Sequence, residues 1–305
     1  MFTVDILIAT YNGEKYLQQQ LFSILAQDYA NWRVLFHDDG SSDNTVGIIR
    51  EFCNMDSRFV FIDDGLIFKS PALNFMHLLK QSTQDYICFC DQDDIWIENK
   101  LSILITNFKQ SHIPKAIISS GYIFSSDDNR ILGLLNYQIR TLSELLFING
   151  GIHGSRSMIN ASMREQMISY SGPLNMHDHL MAQIACSFGE IIYINTPLFF
   201  YRQHSSNVTG NIIANPLRRV LEAFRSLRTK FLISREIFEC NRAFAENFSS
   251  KISEADKKLI NAYLCYPKLN FCHRVITLLR NKFSIEAHGR CHLIIKALTR
   301  KCFDK

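Results

Sequence analysis

YICFCDQDDIW, residues 86–96, runs from five apolar residues straight into three carboxylates within four positions. The first five read as a fully buried strand, and Asp91-Gln92-Asp93-Asp94 as what its carboxyl end presents. Three acids this close repel one another, and desolvating each costs several kcal/mol unless a cation neutralises it. Hard oxygen ligands on a rigid strand end suit Mg²⁺ or Mn²⁺, whose shell is commonly completed by substrate phosphates and water. The other reading is a solvated acidic turn in which Asp94 caps a helix.

Upstream of this stretch, short apolar runs predict strands over 4–9, 33–37 and 59–62. Amphipathic segments between them predict helices over 14–26, 43–52 and 72–81. Ser70-Pro71 supplies a cap and a first-turn proline for the third helix. Such alternation is the pattern of a parallel α/β layer. Each strand ends in polar or glycine-bearing residues, Thr10-Tyr11-Asn12-Gly13 after the first and Asp38-Asp39-Gly40-Ser41-Ser42-Asp43 after the second. Open parallel sheets bind ligands beyond the carboxyl ends of their strands. A turn with Asp43 as helix cap accounts for most of the second segment. It leaves two adjacent acids unexplained, and Asp39 is the candidate to accept from a nucleobase N–H or a ribose hydroxyl.

Downstream, the periodicities predict a helix over 97–110, a strand over 116–124, a mixed region carrying Gly150, Gly151 and Gly154, a helix over 177–188 and short strands over 191–194 and 198–201. These short returning elements fit a mixed platform whose second half shapes a second ligand site.

The chain has 305 residues, 47% apolar and 20% charged, enough for a sizeable core and for one large domain with an appendage. Its net charge of +4 conceals a split. Residues 1–214 hold 14 Lys and Arg against 21 Asp and Glu, while residues 215–305 hold 19 against 8. The division expected is a body over 1–214, with halves at about 1–115 and 116–214, and a basic helical region over 215–305. From Pro216, Arg218, Arg219, Arg225, Arg228, Lys230 and Arg235 interleave with Val220, Leu221, Phe224, Leu227, Phe231 and Leu232, an amphipathic basic pattern. It suits a helix on an anionic membrane, a nucleic-acid surface or a solvated face packed on the body. No nucleic-acid recognition motif accompanies it.

Nine cysteines are scattered with no Cys-x-x-Cys pair, so reduced core thiols are expected rather than zinc ligands or disulfides. Cys88 and Cys90 are expected on opposite sides of their strand and unpaired. The segment Met1-Phe2-Thr3-Val4-Asp5 lacks a basic leader, and no stretch reaches the roughly 18 uncharged apolar residues of a membrane span. A cytoplasmic location is expected.

Taken together, ILIATYN (6–12), DDGSSDNT (38–45) and DQDDIW (91–96), in this order and at these separations, resemble the nucleotide-sugar domain of family 2 glycosyltransferases. Met176-His177-Asp178-His179 and YRQHSSNV (201–208) extend the resemblance toward the bacterial branch that builds O-antigen and capsule repeat units, rhamnosyltransferases among them. The resemblance covers roughly residues 3–210. It implies the GT-A fold, a Rossmann-like mixed, mostly parallel sheet flanked by helices, here with a C-terminal helical appendage.

It also implies roles. Thr10, Tyr11, Asn12 and Glu14 would line the nucleotide pocket and Asp39 would hold the base. Asp91 and Asp93, with Gln92 between them on the donor side, would hold ribose and a Mg²⁺- or Mn²⁺-bound diphosphate. Asp178 sits where the family places its catalytic base; by itself it also reads as a first-turn helix carboxylate favoured by the macrodipole. The family often has Glu before that Asp, where this chain has His177. His204 would touch the diphosphate or complete the metal shell, or serve as a bonded loop histidine. Trp96 and His179 are acceptor-side candidates, Trp96 being equally a core residue.

The function so implied is inverting, metal-dependent transfer of a hexose or a deoxyhexose such as rhamnose. The donor would be a UDP-, dTDP- or GDP-sugar and the acceptor a polyprenyl-diphosphate-linked saccharide, with the chain peripheral on the inner face of the plasma membrane through its basic region. A sugar-1-phosphate nucleotidyltransferase would need a glycine-rich basic loop that residues 10–13 do not offer. A sugar-nucleotide-binding protein without activity would need no base.

Overall fold

The computed structural model describes residues 2–108, 111–126, 130–148, 152–204, 231–285 and 289–303. Its first part alternates β1 (Val4–Thr10), α1 (Glu14–Leu25), β2 (Trp32–Asp38), α2 (Thr45–Met55), β3 (Phe59–Phe61), α3 (Pro71–Gln81) and β4 (Tyr86–Cys90). β5 (Ile95–Trp96), α4 (Lys100–Asn107), β6 (Lys115–Ser125), β7 (Ile131–Leu135), α5 (Leu142–Leu145), β8 (Ser157–Asn160), α6 (Ala161–Ser169), α7 (His177–Phe188) and β9 (Glu190–Gln203) follow. The C-terminal part comprises β10 (Phe231–Ile233), α8 (Arg235–Asn247), α9 (Glu254–Cys265), α10 (Phe271–Arg280), α11 (Gly289–Thr299) and β11 (Lys301–Phe303).

A nine-stranded sheet runs in the order β3-β2-β1-β4-β8-β6-β9-β5, with β7 paired to β6. β3, β2, β1 and β4 are mutually parallel, β8 is antiparallel to β4 and β6, and β6 and β9 are again parallel. Thr10 pairs with Asp38, and Ile8 with Cys90. That register brings the carboxyl ends of β1, β2 and β4 to one edge, and the chain crosses from one side of β1 to the other there. The crevice so formed is where an open sheet binds its ligand.

Strand alternation divides the core. Ile6, Ile8, Phe36, Cys88 and Cys90 face Leu17, Leu21, Ile24 and Leu101 on one side. Leu7, Leu35, Ile87 and Phe89 face Phe75, Leu78 and Leu79 on the other. Cys88 and Cys90 therefore share a face, contrary to the expectation from sequence, because residues two apart on a strand point the same way. They are free thiols, and burial pushes Cys88 up to about 12.

Several boundaries move. Asn44, not Asp43, precedes the first residue of α2, and Asp43 instead accepts from the Thr45 and Glu14 backbone amides. The fourth helix is shorter than 97–110, and β7, β8 and the two-residue β5 have no counterpart in the sequence reading. The two short strands over 191–201 are one continuous β9, carrying register shifts opposite Ser119 and Ser120. Phe231 and Leu232, read as helical, lie in β10, which pairs with β11. Gly150 and Gly151 lie outside the described residues, as do Ser205–Val208 and the basic run from Arg218 to Lys230.

The described C-terminal part covers the α3 side of the sheet. Leu232, Ile233, Phe244, Phe248, Ile260, Tyr263, Tyr266 and Leu278 are buried in the same cluster as Leu7 and Phe89. Phe147 bridges the two parts, with its ring edge-on to Tyr263, Tyr266 and Phe283. At about 25 cal/mol per Å² of apolar burial, a seam of this composition is held as firmly as a domain interior. Among the described residues, no helix is long and apolar enough to cross a membrane.

Candidate active site

The loop after β1 is wired to the loop after β2. Thr10 donates through Oγ1 to Asp38 Oδ2 at 2.8 Å, and Asp38 also accepts from the Gly40 and Ser41 amides and the Ser41 hydroxyl. Gly40 occupies φ +85°, which an L side chain seldom adopts, so the tight turn needs glycine there. Asn12 accepts from Ser42 N while its own amide donates to Ser41 Oγ, both at 2.8 Å. Glu14 and Asp43 cap each other's helices: Glu14 N donates to Asp43, and Asn44 N donates to Glu14 Oε2 at 2.9 Å. Glu14, assigned by resemblance to the nucleotide pocket, thus spends its carboxylate on a helix N-terminus.

Gln92 joins the third loop to the first. Its side-chain amide closes a two-point pairing with the Tyr11 backbone, accepting at 3.0 Å and donating at 2.9 Å. A Cβ on Gly13 would collide with Gln92 Oε1, so glycine there is what lets Gln92 approach. Tyr11 is 58% exposed at the crevice mouth. Asp39, by contrast, is buried, with its carboxylate accepting from the Phe68, Lys69 and Ser70 amides. It pins the loop before α3.

The acids after β4 point three ways. Asp93 Oδ2 meets His204 Nε2 at 2.8 Å, and the His204 ring lies 5.0 Å from Tyr16. Asp91 is half-buried; burial and the Asp93 carboxylate push it up to about 7, with Asp178 adding in the same direction. Asp94 is wholly buried, accepts from Arg202 N at 3.2 Å, and is driven well above the usual carboxylate range by burial and by Asp91. A solvated turn would show none of this. The Asp93–His204 pair, with Asp91 beside it, offers carboxylate and imidazole donors of the kind Mg²⁺ or Mn²⁺ accepts.

Asp178 arrives from a different layer, on the first turn of α7. It is 5% exposed, and its Oδ1 has no hydrogen-bond partner among the described residues. The preceding His177 turns inward, its ring 4.3 Å from Phe75 and 4.5 Å from Phe89, with neither nitrogen partnered among the described residues. Burial pushes His177 down to about 4. Below the unfolded value near 6.5 the unfolded chain takes up a proton that the folded chain refuses, so stability falls as pH drops from about 6.5 toward 4. Between pH 7 and pH 5 His177 should cost about 2 kcal/mol, and urea unfolding of His177→Leu should show a correspondingly smaller pH dependence. Equal dependence in both proteins would refute that assignment.

Two acceptor-side candidates are not brought to the cluster. His179 is buried, its Nε2 3.3 Å from Asn241 Oδ1 on α8. Trp96 is buried with Lys100 Nζ 3.9 Å from the centre of its ring. Conversely, the sequence reading missed Lys100, Arg202 and His153. Lys100 is fully buried, donates to Ser155 O at 2.7 Å, and is pushed down to about 8 by burial. Arg202 joins Asp93 O to Gln19 and covers the rings of Tyr16 and Phe124. His153 holds φ +60° next to the 3₁₀ turn Gly154–Arg156, and burial pushes it down to about 4 against the opposing field of Asp178. Lys100 lies six residues beyond Asp94, where the local sequence marks only a helix, and nothing local marks His153.

A parallel half-sheet with an acidic strand end, completed by an antiparallel strand and a carboxylate from a second layer, is the architecture of GT-A glycosyltransferases. The Staphylococcus aureus TarS crystal structure in complex with UDP-GlcNAc matches with a TM-score of 0.61 and 16% identity over 87% of this chain and 72% of that one. The mannosyltransferase PcManGT from Pyrobaculum calidifontis, in complex with GDP-Man and Mn²⁺, matches with a TM-score of 0.53 and 14% identity over 97% and 86%. The chain belongs to glycosyl transferase family 2, whose sequence model matches residues 5–167. Among curated relatives, the dTDP-rhamnosyl transferase RfbG of Shigella flexneri is 30% identical over 67% of this chain and 73% of its own length. A UDP-Glc:alpha-D-GlcNAc-diphosphoundecaprenol beta-1,3-glucosyltransferase of Escherichia coli is 38% identical over 37% of this chain. That match spans 43% of the E. coli protein.

Proposed function

We propose that the chain is an inverting, metal-dependent glycosyltransferase of bacterial surface-polysaccharide assembly, O-antigen or capsule. It would move a hexose or a deoxyhexose such as rhamnose from a UDP-, dTDP- or GDP-sugar to a polyprenyl-diphosphate-linked saccharide. The observation that carries this reading is the Asp93–His204 pair at the end of β4, beside an Asp91 that feels the charges of both Asp93 and Asp178, the latter buried and part-unpartnered on α7. The donors of the relatives, a dTDP-rhamnosyl group and UDP-Glc, and the diphosphoundecaprenol acceptor of one of them support the substrate classes.

Asp93 and His204, with Asp91, would hold Mg²⁺ or Mn²⁺, which when bound offsets negative charge growing on the departing nucleoside diphosphate. The chain's own residues do the rest. Gln92, clamped to the Tyr11 backbone, shapes the donor side; Asp39 orders the loop over it. Asp178 takes the proton from the acceptor hydroxyl as that oxygen attacks C1 from the face opposite the leaving group, which inverts the anomeric centre. Incubating the chain with Mn²⁺, a panel of UDP-, dTDP- and GDP-sugars and a synthetic polyprenyl-diphosphate saccharide should give a product of inverted anomeric configuration by NMR. Donor binding with neither transfer nor hydrolysis across the panel would favour the non-catalytic alternative.

Membrane contact is supported by the C-terminal helices. Phe271, Ile276 and Leu279 on α10 and Ile295 and Leu298 on α11 are at least half exposed. Arg280 and Lys282 adjoin them, and α10 contains no acidic residue. Apolar residues edged by bases suit an anionic lipid surface. Ile276→Glu and Leu279→Glu should each weaken binding to phosphatidylglycerol vesicles about tenfold without changing donor affinity. Reversal of Arg218, Arg219, Arg225 and Arg228 should act in the same direction. Unchanged vesicle binding in all of these variants would leave the region as a packed cover of the sheet.

A further inference from the structure

A second cluster joins β2 to α3. His37 near the end of β2, Asp64 in the loop between β3 and α3, and His77 on α3 place one ligand atom each within 4.8 Å of one another. Asp64 Oδ1 lies 3.2 Å from His37 Nε2, and Asp64 Oδ2 lies 2.8 Å from His77 Nε2. The two imidazole rings are 4.8 Å apart, and Phe68 closes one side at 5.4 and 5.2 Å from them.

The hydrogen bonds decide where the His37 proton sits. Asn74 Nδ2 donates to the His37 carbonyl at 3.2 Å, so Asn74 Oδ1 is the atom that faces His37 Nδ1 at 2.9 Å, and it must accept. Nδ1 therefore carries hydrogen, and the Nε2 of neutral His37 turns a lone pair toward a carboxylate oxygen. Two lone pairs at that separation repel unless a proton or a cation lies between them. His37 is 1% exposed, so its ring is closed off from bulk solvent.

We propose that His37, Asp64 and His77 form a binding site for a borderline transition-metal ion of the Zn²⁺ type, separate from the Mg²⁺- or Mn²⁺-type set at Asp91, Asp93 and His204. Two imidazoles and one carboxylate are the donor chemistry Zn²⁺ takes, and three protein ligands leave a fourth position for water. The Nδ1–H of His37 bonded to Asn74 is the outer support that metal-binding histidines commonly have. Ligand atoms around a tetrahedral Zn²⁺ stand about 3.3 Å apart, so closing the widest gap needs a movement of about 1.5 Å at most. Asp64 and His77, with side chains 32% and 13% exposed, have room to make it. A cavity of about 260 Å³ lined by His37, Asp38, Phe61, Leu66 and Ile67 opens beside the cluster.

The site would tie β2, the 63–70 loop and α3 together at one point. The same loop supplies the amides that hold Asp39, so metal uptake would stiffen the wall next to it whatever Asp39 itself binds.

The test uses the full, tag-free chain stripped with chelator and titrated with Co²⁺. One equivalent should give the intense visible absorption of tetrahedral coordination, which Zn²⁺ displaces, and amide exchange over 64–70 should slow. His77→Gln and Asp64→Asn, both changes at partly exposed positions, should each weaken uptake at least tenfold, while Asp93→Asn leaves it unchanged. Retained absorption in His77→Gln and Asp64→Asn, or its loss in Asp93→Asn, would overturn the assignment. So would the absence of uptake by the wild type, which would leave the cluster as a carboxylate hydrogen-bonded between two histidines.

Discussion

Asp178→Asn should lower kcat at least a thousandfold while donor affinity stays within about twofold, measured by transfer assay and by calorimetric titration of the donor. The substitution keeps shape and removes only the capacity to take a proton, and positioned general bases contribute about 10²–10⁴ in rate. Asp178 is suited to that work because it is nearly buried, with one oxygen unpartnered among the described residues. A carboxylate that served only the α7 dipole would be exposed or bonded to first-turn amides, and its Asn variant would cost a fraction of a kcal/mol in stability and nothing in turnover. Turnover within tenfold of wild type would remove Asp178 from the base role.

Lys100→Met should be the most destabilising single change near the site. Lys100 is fully buried, and its charge lowers the carboxyl groups of Asp91 and Asp94, both raised chiefly by burial. Methionine fills the same volume and leaves those acids without the cation. Breaking a buried charge arrangement by removing one partner typically costs about 3–5 kcal/mol. For a chain of this size that corresponds to a fall in Tm of about 5–8 °C, read by calorimetry. Added Mn²⁺ should recover part of the loss by supplying positive charge to Asp91. A Tm within 2 °C of wild type, with no effect of Mn²⁺, would show that Asp91 and Asp94 are neutral without help from Lys100.

β1, β2, β4 and α3 were legible because each is a local pattern: an apolar run, or a Ser-Pro cap before an amphipathic stretch. Ser70 does cap α3, accepting from Leu73 N. β8, sandwiched between β4 and β6, was not legible, since Ser157–Asn160 is four residues whose strand character comes from its neighbours. Cys88 and Cys90 were misassigned to opposite faces although their spacing of two places them together. The basic run of the C-terminal part suited a membrane face, a nucleic-acid surface or a face packed on the body; the run from Arg218 to Lys230 lies outside the described residues, and the described portion supplies Tyr263, Tyr266 and Phe244 to the main core.

What the sequence determined by itself was the chemistry at the strand ends: Thr10 to Asn12, Asp38 to Asp43 and Asp91 to Asp94 lie within a few residues of strands that their own apolar character defines. What only the tertiary structure decided was which side chains spend themselves on scaffolding and which remain directed at the crevice. Glu14 caps a helix, Asp39 holds a loop and His179 faces Asn241, while His204 crosses 111 residues of chain to reach Asp93. The physical reason is that a carboxylate or imidazole has few bonding positions, and its partners are set by chain segments far away in sequence. The charge of a residue is local information; the satisfaction of that charge is not.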